Sequence, residues 1–163
     1  MMRINISRLL QEPWGSLRKY DLDEGPLRLG DDLEIDFLRG TLRLTHTNEG
    51  ILVQGKLTTQ VTLECVRCLE PFAYRLSVSL TERFLPAPAA ARDGEAFPIG
   101  NDNSVDMDEP IREAILLALP MRALCRPDCR GLCPECGQNL NLGQCECQKE
   151  DIDPRLDVLR QLL

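Results

Sequence analysis

Eight cysteines fall in four close pairs, Cys65-Val-Arg-Cys68, Cys125-Arg-Pro-Asp-Cys129, Cys133-Pro-Glu-Cys136 and Cys145-Glu-Cys147. This spacing constrains the chain more than its bulk composition does, because paired cysteines act as metal ligands, redox catalysts or disulfides according to compartment. Residues Met1 to Trp14 show no basic region followed by an apolar one, and no run approaches the roughly 18 apolar residues of a membrane span. A cytoplasmic location is therefore expected. Thiols stay reduced there, so four close pairs predict metal.

Cys133-Pro-Glu-Cys136-Gly137 has the form of a zinc knuckle: two thiolates flank a tight turn whose amides point at the sulfurs, and the glycine relieves the bend. Cys145-Glu-Cys147 lies nine residues downstream of Cys136. Its one-residue gap is tighter than the usual two to four, but the turn formers of 139–144 allow one tetrahedral ion to be closed locally. Cys65 and Cys68 sit between two alternating apolar runs, at the tip of a hairpin. Cys125 and Cys129 follow a helix directly, and if that helix folds back over the sheet they reach the first pair. Two structural zinc ions are expected on this reading. The rival grouping is a single cluster of Cys125, Cys129, Cys133 and Cys136, which leaves Cys65 and Cys68 as plain thiols.

A thioredoxin-like pair needs a helix start after a parallel strand, whereas an alternating strand precedes Cys65 and Pro71-Phe72 opens another. Catalytic zinc keeps an open coordination position and usually takes histidine or carboxylate. His46, the single histidine, falls at a strand end and is expected to be solvent-facing or simply hydrogen-bonded. No catalytic residue is expected.

The rest of the chain reads as α+β, predominantly antiparallel β-sheet with one covering helix and a C-terminal zinc-binding module ending in a short helix. Ile4 and Ile6, and 17–22, suggest short strands. Leu33, Ile35, Phe37, Leu42, Leu44, Ile51, Val53, Leu57, Val61 and Leu63 recur near period two, as in an antiparallel meander. Thr47-Asn48-Glu49-Gly50 supplies a hairpin turn with a left-handed position. Phe72, Tyr74, Leu76, Val78 and Leu80 form the clearest strand. Residues 1–84 are thus the β body, and the Pro-Ala and Gly-Asn-Asp-Asn composition of 85–107 predicts a flexible linker. Asp108 is placed to cap a helix over 108–120, with Pro110 in its first turn and Ile111, Ile115, Ala118 and Leu119 facing the sheet until Pro120 stops it. The cysteine-rich module takes 121–163, its final helix opening at Asp153-Pro154.

Aromatic residues are only 4% and the net charge is -7, so sequence-blind coating of nucleic acid is disfavoured. Two four-thiolate zinc sites bring the charge to about -11. Arg67, Arg122, Arg126 and Arg130 nevertheless surround the expected ligands. They either offset the thiolates or form a local phosphate-binding edge for RNA.

Three segments, Leu63-Glu-Cys-Val-Arg-Cys-Leu-Glu-Pro-Phe72, Ala114-Ile-Leu-Leu-Ala-Leu-Pro120 and Cys129-Arg-Gly-Leu-Cys-Pro-Glu-Cys-Gly137 with Asn139-Leu-Asn141 beyond, make the chain resemble the bacterial YceD family. The resemblance spans most of the chain from about residue 3. It implies a role in accumulation, processing or stability of large-subunit ribosomal RNA, and genomic linkage with a zinc-ribbon protein of that subunit. The expected partner is that RNA or a basic ribosomal protein of the large subunit, with no membrane and no small-molecule substrate. A zinc-stabilised protein-interaction adaptor outside the ribosome and a thiol redox protein are the alternatives.

Overall fold

Long period-two runs in the middle of the chain produce the frame of the fold. The structure, a computed structural model, describes residues 2–147. In chain order its elements are β1 (Arg3–Asn5), α1 (Ser7–Leu10), β2 (Leu17–Glu24), β3 (Leu27–Leu29), β4 (Leu33–Ile35), β5 (Phe37–His46), β6 (Ile51–Glu64), β7 (Pro71–Pro86), α2 (Ala87–Asp93), β8 (Phe97–Ile99), β9 (Ser104–Asp106) and α3 (Asp108–Ala118). The expectation of a mixed α+β fold with few helices is met.

Five strands form one sheet in the order β2-β5-β6-β7-β8. The first three pairings are antiparallel and β8 joins β7 in parallel. Alternation sorts the two faces: Leu42, Leu44, Val53, Leu57, Val78 and Leu80 are buried, whereas Arg43, Gln54, Lys56 and Ser79 between them are exposed. The buried row meets Ile111 and Ile115 of α3, Ile6 and Leu9 near the amino terminus, and Leu29, Leu33 and Ile35 of the β3–β4 hairpin in one apolar core. Pro110 fits the first turn of α3, where its missing N–H costs nothing. The helix ends as Leu119 takes an extended backbone ahead of Pro120.

Three local expectations are corrected. The stretch 85–107 is structured: it holds α2, β8 and β9. Val105 is fully buried, and the Phe97 ring sits 5.6 Å from that of Phe84. Apolar runs this short carry no readable period, and Pro98 is tolerated because β8 is an edge strand. The turn after β5 has no left-handed residue; the Thr47 N–H and hydroxyl both donate to the Gly50 carbonyl, at 2.8 and 3.0 Å. Met107, rather than Asp108, holds the cap position of α3. Asp108 lies in the first turn, where its Oδ1 accepts from the Met2 N–H at 2.7 Å. The helix expected from Asp153 lies outside the described residues.

Candidate metal centres

The β6–β7 hairpin closes through 65–70, and its backbone repeats a pattern found again 68 residues later. At the hairpin tip the Cys65 N–H donates to the Glu70 carbonyl at 3.0 Å and the Leu69 N–H to the Cys65 carbonyl at 2.9 Å. In the second loop the Cys133 N–H donates to the Gln138 carbonyl at 2.8 Å and the Gly137 N–H to the Cys133 carbonyl at 2.9 Å. Both fifth residues are left-handed, Gly137 at φ 73 and Leu69 at φ 60. That conformation costs a leucine about 1–2 kcal/mol. The first loop therefore holds the knuckle geometry without the glycine that marks the second in sequence.

The segment after α3 is strapped across the hairpin tip. The Val66 N–H donates to the Ala123 carbonyl at 2.9 Å, the Leu132 N–H to the Arg67 carbonyl at 3.2 Å, and the Arg67 guanidinium to the Cys129 carbonyl at 2.9 Å. These bonds bring Cys125 and Cys129 over Cys65 and Cys68. All four sulfurs lie within 4.8 Å of one another. Cys65 and Cys129 Sγ are 3.8 Å apart, and Cys68 and Cys125 Sγ 3.7 Å. A tetrahedral ion with metal–sulfur distances of about 2.3 Å has sulfur–sulfur edges of about 3.8 Å, while a disulfide needs about 2.05 Å. Cys65, Cys68 and Cys129 are buried, with Phe72 and Leu124 packed against them.

The second cluster joins Cys133, Cys136, Cys145 and Cys147, again with sulfurs within 4.8 Å. Cys133 is buried, Cys145 half-buried, and Cys136 and Cys147 exposed. Each cluster can hold a metal ion. The described residues thus follow the two-site grouping, not a single cluster of Cys125, Cys129, Cys133 and Cys136.

Backbone amides supply much of the electrostatics. The N–H groups of Cys125 and Cys68 at the Cys65 sulfur lower its pKa to about 6, and those of Cys136 and Glu135 lower Cys133 to about 7. Burial, then the neighbouring sulfurs of Cys65 and Cys68, raises Cys125. The Cys136 sulfur, ahead of burial, raises Cys147. Against burial, the Asn141 amide and the Gly131 N–H lower Cys129 as well, so each quartet contains at least one sulfur predisposed to the thiolate form that binds metal.

Of the four expected arginines, Arg67 is engaged with Cys129 as above, and Arg126 Nε lies 3.9 Å from Asp128. Arg122 and Arg130 are exposed. The structure therefore gives Arg67 a bracing contact within the first cluster. His46 Nδ1 lies 2.8 Å from the Glu12 carbonyl oxygen, an ordinary hydrogen bond.

Sequence reasoning missed Asn141. Its Nδ2 donates to the Cys129 sulfur at 3.3 Å, and its Oδ1 accepts from the Arg130 N–H at 2.9 Å. This one side chain ties the second loop to a sulfur of the first cluster. The only sequence signal was its place in Asn139-Leu-Asn141.

A sheet whose longest hairpin ends in a two-cysteine knuckle, closed from above by a second knuckle-bearing loop, defines a small α+β protein with two four-cysteine candidate metal centres. Residues 53–163 match the family described as large ribosomal RNA subunit accumulation protein YceD, and the chain belongs to it. An uncharacterised protein of Mycobacterium tuberculosis (strain H37Rv) is 37% identical over 169 residues, 99% of this chain and 81% of that one. The chloroplastic large ribosomal RNA subunit accumulation protein YCED homolog 1 of Zea mays is 31% identical over 147 residues, 70% of this chain and 46% of the maize protein. The uncharacterised protein YlbN of Bacillus subtilis is 28% identical, over 66% of this chain and 63% of its own. No solved structure matches. Among the described residues no helix is long and apolar enough to cross a membrane.

Proposed function

We propose that this chain is a non-catalytic, zinc-stabilised cytoplasmic factor for the accumulation, processing or stability of large-subunit ribosomal RNA. The observation that carries the zinc reading is the pair of all-sulfur quartets, with edges of 3.7 and 3.8 Å in the first. Soft thiolates in a tetrahedron suit zinc, and a closed four-sulfur set is the structural type. Catalytic zinc needs an open position for water, and here four sulfurs occupy the tetrahedron. The residues that hold the ions are Cys65, Cys68, Cys125 and Cys129 in one site and Cys133, Cys136, Cys145 and Cys147 in the other. When bound, the first ion would fix two distant chain segments and the second would close a local loop, and neither would supply a reaction step.

The ribosomal role is supported by the family description and by the wording of the maize relative's name. Large-subunit ribosomal RNA, or a basic protein of that subunit, is the partner. The test is deletion of the gene, with the ratio of large- to small-subunit ribosomal RNA read from total RNA. Zinc per purified chain is measured alongside. A fall in the ratio, restored by the wild-type gene, with two zinc ions per chain supports the reading; an unchanged ratio refutes the ribosomal role, and zinc-free folded protein refutes the metal.

A further inference from the structure

Although the chain is acidic overall, one face of the sheet is basic. Register places the outward side chains of β2, β5, β6 and β7 in rows: Lys19 stands opposite Arg43, which is followed by Gln54 and Thr81, and Asp21 stands opposite Thr41, followed by Lys56 and Ser79. Further along come Asp23, Arg39, Thr58 and Ser77, then Gln60 and Arg75 beside Phe37. Six cations (Lys19, Arg39, Arg43, Lys56, Arg75 and Arg83) share these strands' outer face with three carboxylates, Asp21, Asp23 and Glu64, the last at the far end next to Cys65. Asp36 is held by Gln60 at the rim. The strand residues alone sum to about +3, and Asp93, which pairs with Arg83, and Asp36 at the rim bring the face to about +1, in a chain of -7.

The carboxylates on this face are already engaged where the cations are densest. Thr41 donates to Asp21 at 2.6 Å, and Arg39 to Asp23 at 2.7 Å. Arg83 is held by Asp93. Among the described residues Lys19, Arg43, Lys56 and Arg75 have no carboxylate partner. Lys19 directly opposite Arg43 is a like-charge cross-strand pair, which destabilises a sheet unless an anion lies between. Both, with Lys56 and the Thr41-bonded carboxylate of Asp21, line a trough of about 930 Å³, three cations to one carboxylate. At its end the guanidiniums of Arg39 and Arg75 lie 5.4 and 5.5 Å from the centre of the half-buried Phe37 ring.

We propose that this basic outer face of the sheet is the RNA-binding surface of the protein, with single-stranded RNA as its occupant: phosphates in the Lys19–Arg43–Lys56 trough and a base against Phe37 and its two arginines. The inference rests on the ribosomal reading and moves the contact away from Arg67, Arg122, Arg126 and Arg130. Charge complementarity favours an anionic chain. Three features favour RNA over an acidic protein: the planar Phe37–Arg platform, the hydroxyl and amide donors of Gln54, Ser79 and Thr81 between the cations, and the length of the face. From Thr45 to Phe37 it runs about 26 Å at 3.3 Å per residue, room for several nucleotides. Four unpaired cations on a single strand imply a log–log salt slope of about -3, so affinity falls roughly 50-fold from 50 to 200 mM salt.

The test uses the full zinc-loaded chain and fluorescein-labelled decauridine, with anisotropy read from 50 to 200 mM salt and polyglutamate as the rival probe. Lys19→Gln with Arg43→Gln and Lys56→Gln is expected to hold or slightly raise the melting temperature, since all three side chains are exposed and the Lys19–Arg43 repulsion is removed, and to cut the slope to about -1. Arg122→Gln with Arg130→Gln is expected to bind as wild type. Phe37→Leu lowers affinity about tenfold with the slope unchanged, a stacking loss that pure charge attraction does not produce. Ultraviolet crosslinking in growing cells repeats the comparison on ribosomal RNA. Retained binding by the sheet variant with loss in the arginine-edge variant overturns this surface and leaves the ribosomal role standing. Binding of polyglutamate but not decauridine makes the face a protein dock and overturns the inference. No RNA bound by wild type overturns it too, while the ribosomal RNA ratio of the deletion strain independently judges the role.

Discussion

Cys125→Ser and Cys136→Ser each remove one sulfur from a quartet, yet the structure makes their consequences unequal. The first cluster bridges positions 64 and 57 residues apart, whereas the second closes 14 residues, from Cys133 to Cys147. Treated as a cross-link, closure of a loop near 60 residues contributes about 4 kcal/mol, and closure of 14 about 3 kcal/mol. The larger contribution falls on the main transition, because the long loop contains β7 and α3, which carry part of the apolar core. The smaller one falls on 133–147, which contains no helix or strand and no residue of that core; its loss is local unfolding. For a chain of this size 1 kcal/mol shifts the melting temperature by about 2–4 °C. Cys125→Ser is therefore expected to lower the main calorimetric transition by roughly 8–16 °C with equimolar zinc present, and Cys136→Ser to leave it within about 2 °C. Both variants are expected to lose one of the two proposed zinc ions. A Cys125→Ser protein that melts with the wild type, or a Cys136→Ser protein that falls as far, refutes the claim that the first site staples the body.

Gly131→Ala places a Cβ 3.0 Å from the Arg67 carbonyl oxygen at φ +75; a loss of about 1–2 kcal/mol in urea unfolding is expected, with faster zinc release to a chelator. Leu57→Ala opens the fully buried centre of β6 and is expected to cost about 2–5 kcal/mol in the same titration, with zinc content unchanged. Arg112 donates to both Asp32 oxygens at 2.8 and 2.7 Å, and these bonds hold the Asp32 carboxyl below its ordinary value of 3.8. Because the folded pKa is depressed, the contribution is full above the ordinary value and is lost as pH falls through the folded one. Asp32→Asn should flatten the acid limb of a melting-temperature profile below about pH 4, and an unchanged limb counts against the pair.

How legible the molecule is depends on whether a feature lies in local order or in register. The β5, β6 and β7 runs announce themselves because burial on one face imposes period two over ten or more residues. The cysteine quartets are legible for a related reason: donor chemistry is residue-specific, and the pairs are close in sequence. The grouping is less so, because joining Cys125 to Cys65 depends on how α3 returns over the sheet. Residues 87–106 mislead since their elements are three to seven residues long. Leu69 hides its knuckle because a leucine occupies a position where glycine is the readable signal. Asn141 is invisible as a support for Cys129, since nothing local distinguishes an asparagine aimed at a sulfur from one closing a turn.

Register also bears on the conflict between net acidity and the proposed RNA partner. Lys19, Arg43, Lys56 and Arg75 are spread over 57 residues, and neither window composition nor overall charge sees them as a group. Pairing of β2, β5, β6 and β7 puts them on one face. Most carboxylates lie elsewhere, including Asp32, Glu109 and Glu113 around α3. Such a distribution gives long-range repulsion toward polyanions in general and attraction only at short range, within about the 8 Å Debye length of physiological salt. An RNA must then present its strand to this one face to gain anything, and duplex regions meeting the acidic side are turned away. The acidity that argues against indiscriminate binding is, on this surface, what makes a selective contact physically reasonable.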